Sequence, residues 1–234
     1  MQSDAIDIPS HQHVRDTERR AYMRVGFVGL AHCRDGHSIK AHGSIVRRPG
    51  QEASSESDGA VTETLRHWSE IRAAGSPAEE RAAGEVTAAA YEEFRPFFAP
   101  DDWRVYAATL PETARRVDEG ELLVAVDERS EVVGTVTLYL EPKPSSGHWR
   151  EDDAVFRFLA VRPDRRGDGV GSALLDHCIC RARLAGKRRL ALQTTPPMTV
   201  AVRMYEQKGF HRDSTGDMVA GSFVLQGYAK RLDG

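Results

Sequence analysis

Hydrophobic and polar positions divide the chain into two unlike parts. Residues 1–60 are rich in His, Arg, Ser and Asp and show no sustained apolar periodicity. A segment of that kind buries too little apolar surface to offset its ordering entropy, so it is expected to be a disordered extension. From about residue 65 regular patterns begin. Residues 68–72 suit a first strand. Ser76 followed by Pro77, Glu79 and Glu80 then supplies an N-cap, a first-turn proline and dipole-favoured acids for a helix to about Phe94. A second helix is expected over 109–119, with Pro111 in its first turn and Gly120 closing it.

Two apolar, β-rich runs follow at 122–126 and 132–140. They are parted by Asp127-Glu128-Arg129-Ser130, a spacing that predicts an antiparallel hairpin. A further strand is expected over 155–161, stopped at Pro163. An amphipathic helix over 169–184 buries Ala173, Leu174, Cys178 and Ala182, and Gly186 ends it. Residues 189–193 form a short strand, 200–207 a helix ended by Gly209, and 223–232 have room for one or two last strands. The order β-α-α-β-β-β-α-β-α-β(β) predicts a mixed α/β sheet flanked by helices, with an antiparallel first half and a β-α-β unit in the middle.

Composition narrows the function classes. Apolar residues make up 40% of the 234, enough for a core of ordinary size. A formal charge of −3 argues against nucleic acid as an obligatory partner, because phosphate binding needs a dominant basic face. No apolar stretch has the length to cross a bilayer. The arginines 19 and 20 before the apolar run 25–31 resemble an export signal, but the run is short and glycine-diluted. Three cysteines, Cys33, Cys178 and Cys180, lack a disulfide or zinc spacing. A reduced cytoplasmic location and no metal are therefore expected.

Between the central strand and helix lies Arg165-Arg166-Gly167-Asp168-Gly169-Val170-Gly171. Glycines there let backbone N–H groups converge at a helix N-terminus and form an anion cradle. A P-loop is excluded because no Gly-Lys-Ser/Thr follows, and a dinucleotide fingerprint fits poorly because Ser172 stands where its last glycine belongs. A purely structural tight turn is the plain alternative.

Phe158-Leu159-Ala160-Val161-Arg162-Pro163 with the following Arg166-x-x-Gly169-x-Gly171 resembles the pyrophosphate-binding motif of the GNAT superfamily of acetyl-CoA-dependent N-acetyltransferases. Ala201 with Met204-Tyr205-Glu206-Gln207-Lys208-Gly209-Phe210 is similar to that family's second signature. The resemblance covers roughly residues 65–234, a single N-acetyltransferase domain. It implies that the strand bearing Leu159, Ala160 and Val161 bulges and splays from the strand at 189–193, so that those three residues contact the pantetheine arm of acetyl-CoA. It assigns the pyrophosphate to Arg166, Gly167, Asp168, Gly169, Val170, Gly171 and Ser172, with Thr194 as a further cofactor contact.

The implied activity is direct transfer of an acetyl group from acetyl-CoA to a primary amine, with Tyr205 as general acid. Tyr205 as a packed aromatic is the bland counterpart. The general base is less defined. Val155 stands where many relatives carry a glutamate; Asp153 lies on the same strand face two residues earlier and is the candidate, with Glu93, Glu141 and Asp152 as further options. Met198 departs from the family pattern too, standing where many relatives have asparagine. The aromatics and acids of residues 91–103 either wall an amphipathic acceptor or pack the helix pair. A catalytically silent acyl-CoA-binding module is the alternative from another class, and a homodimer is compatible with either.

Overall fold

The computed structural model describes residues 38–40, 68–142, 149–221 and 223–233. Nearly all of the expected extension lies outside them. One piece does not: Ser38–Lys40 forms strand β1, antiparallel to β2 (Glu70–Ala73) with Ser38 opposite Arg72.

Helix α1 (Pro77–Tyr91) starts where the capping chemistry places it, with Ser76 Oγ accepting from the Glu79 N–H at 3.3 Å. It tightens into a 3-10 turn over Glu92–Phe97. The expected helix over 109–119 is corrected. The chain forms α2 (Pro100–Thr109), breaks at Leu110–Thr113, and resumes as α3 (Ala114–Glu119). Pro100 opens α2 at a position where a missing N–H costs nothing. Pro111 sits in the break, and its backbone packs on Gly84 of α1 so closely that a Cβ there would lie 2.6 Å from the Pro111 carbonyl oxygen.

Strands β3 (Glu121–Val126) and β4 (Val132–Tyr139) pair as the expected hairpin, followed by β5 (Asp153–Val161). In the turn, Asp127 Oδ1 accepts from the N–H groups of Arg129 and Glu131 at 2.9 and 3.0 Å. Helix α4 (Val170–Leu184), β6 (Arg189–Thr194), α5 (Thr199–Gln207), β7 (His211–Arg212), β8 (Met218–Ala220) and β9 (Phe223–Arg231) complete the order. Neighbouring strands run β1-β2-β3-β4-β5-β6-β9-β7, and β8 pairs with β9. The β5–β6 pair is parallel, as its α4 crossover requires, and every other pair is antiparallel.

Both faces of this sheet are covered, which is why β3 reads as an unbroken apolar run. Leu122, Val124 and Val126 face α1 through Ala83, Val86 and Ala90; Leu123 and Ala125 face the opposite cluster of Leu174, Leu175, Cys178 and Phe210. Gly134 of β4 lets α4 come close, since a Cβ there would lie 2.6 Å from Val170 Cγ1. The first turn of α4 is thus held against the sheet at one end of β5.

Candidate functional site: a parted sheet and a glycine turn

Strands β5 and β6 pair only at their beginnings. Asp153, Ala154 and Val155 face Arg189, Leu190 and Ala191; beyond that both strands continue, to Val161 and Thr194, without pairing. A bulge in β5 accompanies the separation. Thr135 of β4 lies opposite Ala160 and Thr137 opposite Arg157, so β5 spends one residue more than β4 over the same length. Phe158 takes up the difference with φ at +56°. A left-handed backbone is costly for an aromatic residue and persists only where the surroundings impose it. The opening exposes the edge of β5 over Leu159–Val161 toward the gap, a ready template for an added extended chain.

The glycine turn lies at the end of this opening. Gly167 and Gly169 have φ of +88° and +79°, and Gly169 is the N-cap of α4. Gly169 has no side chain to cap that helix, and its first N–H groups have no side-chain acceptor among the described residues. A Cβ at either position would meet nothing within 4 Å, so the surface above the turn is open to a ligand. Val170 is buried against β4, whereas Gly171 and Ser172 are half-buried. The Arg166 guanidinium reaches across to the end of α1, donating to Glu93 Oε2 at 2.9 Å and to the Ala90 carbonyl at 3.1 Å. Glu93, one of the optional bases, is thereby tied to an arginine. Thr194 is buried, its hydroxyl against Met198 Sδ at 3.5 Å.

Tyr205 enters from α5. Its ring packs against Phe156 and Phe210, with centroids 5.7 and 6.1 Å away, and its hydroxyl has no hydrogen-bond partner among the described residues. Burial, with Tyr91 and Cys178 nearby, pushes the phenol well above its ordinary value of 10, so it holds its proton throughout the neutral range. Lys208 just beyond α5 is ion-paired to Asp176 of α4 at 2.6 Å, which ties the helix bearing Tyr205 to the helix bearing the glycine turn.

Asp153 stands apart from this group. It opens β5, five residues before Phe158, roughly 16 Å along the strand. Its side chain is 1% exposed and already engaged. Oδ1 forms an ion pair with Arg189 Nε at 3.2 Å, with charge proximity rather than a directed hydrogen bond. Oδ2 accepts from the Arg150 N–H at 3.0 Å. Arg189 bridges onward to Asp213. This carboxylate therefore sits at the closed end of the β5–β6 pair, where the strands are still joined.

A family model described as Acetyltransferase (GNAT) family matches residues 86–210, more than half of the chain. The chain belongs to that family. Solved GNAT structures share its fold at low identity. An acetyltransferase of the GNAT family from Staphylococcus aureus Mu50 superposes with a TM-score of 0.54 at 18% identity, covering 70% of this chain and 98% of that one. PaiA N-acetyltransferase from Thermoplasma acidophilum, solved in complex with coenzyme A, gives 0.54 at 15% identity over 69% and 97%. A GNAT-family protein from Desulfovibrio desulfuricans gives 0.51 at 22% identity over 69% and 98%. No curated protein matches significantly.

In this GNAT-family chain four of the five aromatics of residues 91–103 pack on one another, Tyr91 on Phe94 and Phe98 on Trp103, with Tyr106 of α2 against Phe98 at 5.7 Å, while Phe97 is 62% exposed. Phe158 joins the same cluster. Sequence reasoning missed two further residues there, Arg116 and Arg157. Arg157 had a legible signal, a charge interrupting an apolar strand; Arg116, in the mixed helix Ala-Arg-Arg-Val-Asp-Glu, had none. Among the described residues no helix is long and apolar enough to span a membrane, and no cluster of His, Cys, Asp or Glu suits a metal.

Proposed function

We propose that the protein is an acetyl-CoA-dependent N-acetyltransferase acting on a primary amine. The observation that carries this reading is the meeting of two features: β5 and β6 part beyond Val155 and Ala191, and the parting ends at the uncapped glycine turn of α4. An extended amide-bearing arm suits the free strand edge, and a diphosphate suits converging N–H groups that carry no Cβ.

When bound, acetyl-CoA supplies an acetyl thioester, whose C–S bond breaks as a C–N bond to the amine forms, the amine losing one proton and the sulfur gaining one. Leu159, Ala160 and Val161 hold the pantetheine arm through main-chain groups. Residues 166–172 hold the pyrophosphate: Arg166 adds a formal positive charge, and Gly167, Asp168, Gly169, Val170, Gly171 and Ser172 contribute the turn and its N–H groups. Thr194 lines the β6 side. Tyr205 holds a proton at Oη for delivery to the leaving sulfur, a role consistent with its raised pKa and unengaged hydroxyl. Holding amine and thioester together supplies much of the acceleration.

Asp153 is assigned a structural role in this reading. A base must reach the amine, and this carboxylate is engaged by Arg189 and the Arg150 N–H at the closed end of the strand pair. An amine arriving in its neutral form needs no protein carboxylate.

Isothermal titration with acetyl-CoA, followed by a thiol-release assay across an amine panel, tests the proposal. Binding with turnover of at least one amine is expected. Binding without turnover on any acceptor would instead indicate a silent acyl-CoA-binding module, and no binding would remove both readings.

A further inference from the structure

Two arginines converge on the bulged residue. Arg116, on α3, is 4% exposed, and its guanidinium carbon lies 4.0 Å from the centre of the Phe158 ring; that of Arg157 lies 5.9 Å from the same centre. Arg116 Nη2 donates to the carbonyls of Thr109, at 3.0 Å, and Leu110. Its Nη1 is buried and has no hydrogen-bond partner among the described residues. Arg157 makes no hydrogen bond or ion pair among the described residues.

Among the described residues the surroundings offer little counter-charge. Tyr91, Tyr106 and Tyr139 stand near both arginines, and burial raises all three phenols, Tyr91 to about 12, so they are neutral. Glu112 is close enough to be felt by Arg116 but not to pair with it, and Glu119 is ion-paired to Arg115. Burying a cation without a partner is expensive, and burial accordingly lowers the Arg116 pKa. The Phe158 face and two carbonyls offset part of that cost and leave one N–H edge of the guanidinium unused.

This pair lies on the α1–α3 side of the bulge, beside the point where β5 leaves β6. We propose that Arg157, backed by the buried Arg116, is a specificity-determining residue that binds a carboxylate on the acceptor, so that the amine is part of an amino-acid-like zwitterion. The half-buried, planar guanidinium of Arg157 matches a carboxylate, and Arg116 behind the Phe158 ring supplies the field that draws it in. The inference rests on the proposed N-acetyltransferase reading and names the class of its acceptor.

The test compares kcat/KM for free L-amino acids and dipeptides with that for their C-terminal carboxamides, alongside acetyl-CoA titration of each protein. In the wild type the free acids are expected to be favoured at least about tenfold, as when a charge-assisted hydrogen bond distinguishes two ligands. Arg157→Gln should bring the ratio toward one through KM, while Arg157→Lys should retain most of it. Aminophosphonates serve as a third arm; a preference for them over carboxylates would overturn the carboxylate assignment. Arg116→Lys is a second variant, since Arg116 also joins α2 to α3. Carboxamides accepted as well as free acids, no free acid turned over by cofactor-bound protein, or a ratio unmoved in Arg157→Gln would each overturn the inference. Failure to bind acetyl-CoA at all would instead strike the parent proposal.

Discussion

Arg166 Nη1 donates to Glu93 Oε2 at 2.9 Å, joining the glycine turn before α4 to the 3-10 turn that ends α1. Both side chains are substantially exposed, so the pair itself adds little stability. Its consequence is positional, because it fixes a guanidinium at the mouth of the proposed pyrophosphate cradle. Arg166→Ala should weaken acetyl-CoA binding by about 1–3 kcal/mol with little change in melting temperature. Glu93→Gln frees the guanidinium and should change affinity far less. Titration of the two variants checks the order; equal losses would mean that Glu93 matters as much as the cation.

The turn can be probed without disturbing the core. A Cβ at Gly169 would meet nothing within 4 Å, so Gly169→Glu should fold, at a cost of about 1–2 kcal/mol for its left-handed backbone. Acetyl-CoA binding should nevertheless be lost, since the new carboxylate stands where a diphosphate must approach. Gly169→Asn, which tolerates that backbone and adds no charge, should lose much less. Unchanged affinity in the glutamate variant, measured by titration, would remove the cofactor assignment.

Gly134 makes the opposite case, with no room at all. A methyl there would press on Val170 Cγ1 at 2.6 Å and Leu174 Cδ1 at 3.1 Å. Gly134→Ala should therefore destabilise by about 1–3 kcal/mol through overpacking. It should also weaken acetyl-CoA binding by displacing the first turn of α4, although Gly134 is proposed to touch no ligand. A thermal melt paired with titration separates the two effects.

Tyr205→Phe keeps the ring against Phe156 and Phe210 and removes only the hydroxyl. Stability and acetyl-CoA affinity should barely move, while kcat falls about 100-fold, the low end for a lost general acid, because a thiolate leaves moderately well unaided. Since burial raises the phenol above 10, no alkaline loss of activity below that pH should be attributable to Tyr205. A wild-type kcat in the variant would reduce Tyr205 to a packed aromatic.

Glu79 at the start of α1 accepts from both Arg72 Nη1 and Nη2, at 3.0 and 2.7 Å, and from the Gly75 N–H at 2.7 Å. The Arg72 bonds lead in lowering its carboxyl from 4.5 to about 2. Its folded pKa is depressed, so its contribution is complete above the unfolded value and is lost as pH falls from about 4.5 to about 2. Glu79→Gln should lower the melting temperature at pH 7, and the gap from wild type should close by pH 2. A gap of constant size across that window would mean that the charge plays no part.

Much of this protein was legible in its sequence because the signals are local. Ser76 caps α1, Asp127 closes the β3–β4 turn, and Gly169 and Gly209 adopt the left-handed backbone that ends or begins a helix. Each depends on residues a few positions apart, and so do the glycine turn and the aromatic signature around Tyr205. Local patterns were less informative over residues 91–113, where aromatics hid the ten-residue helix α2 and the apolar period gave no boundary near Pro111. What tertiary structure alone decided is non-local. The parting of β5 from β6 is a matter of register between strands, and no residue in either announces where pairing stops. Asp153 sits on the expected strand, yet Arg189 and the Arg150 N–H absorb its charge at the closed end. Arg116 and Arg157 lie far apart in the chain and meet on Phe158 because a bulge forces that ring into the α1–α3 cluster. Periodicity and turn chemistry report the conformation of a segment, whereas charge partners across the sheet are set by how segments pack.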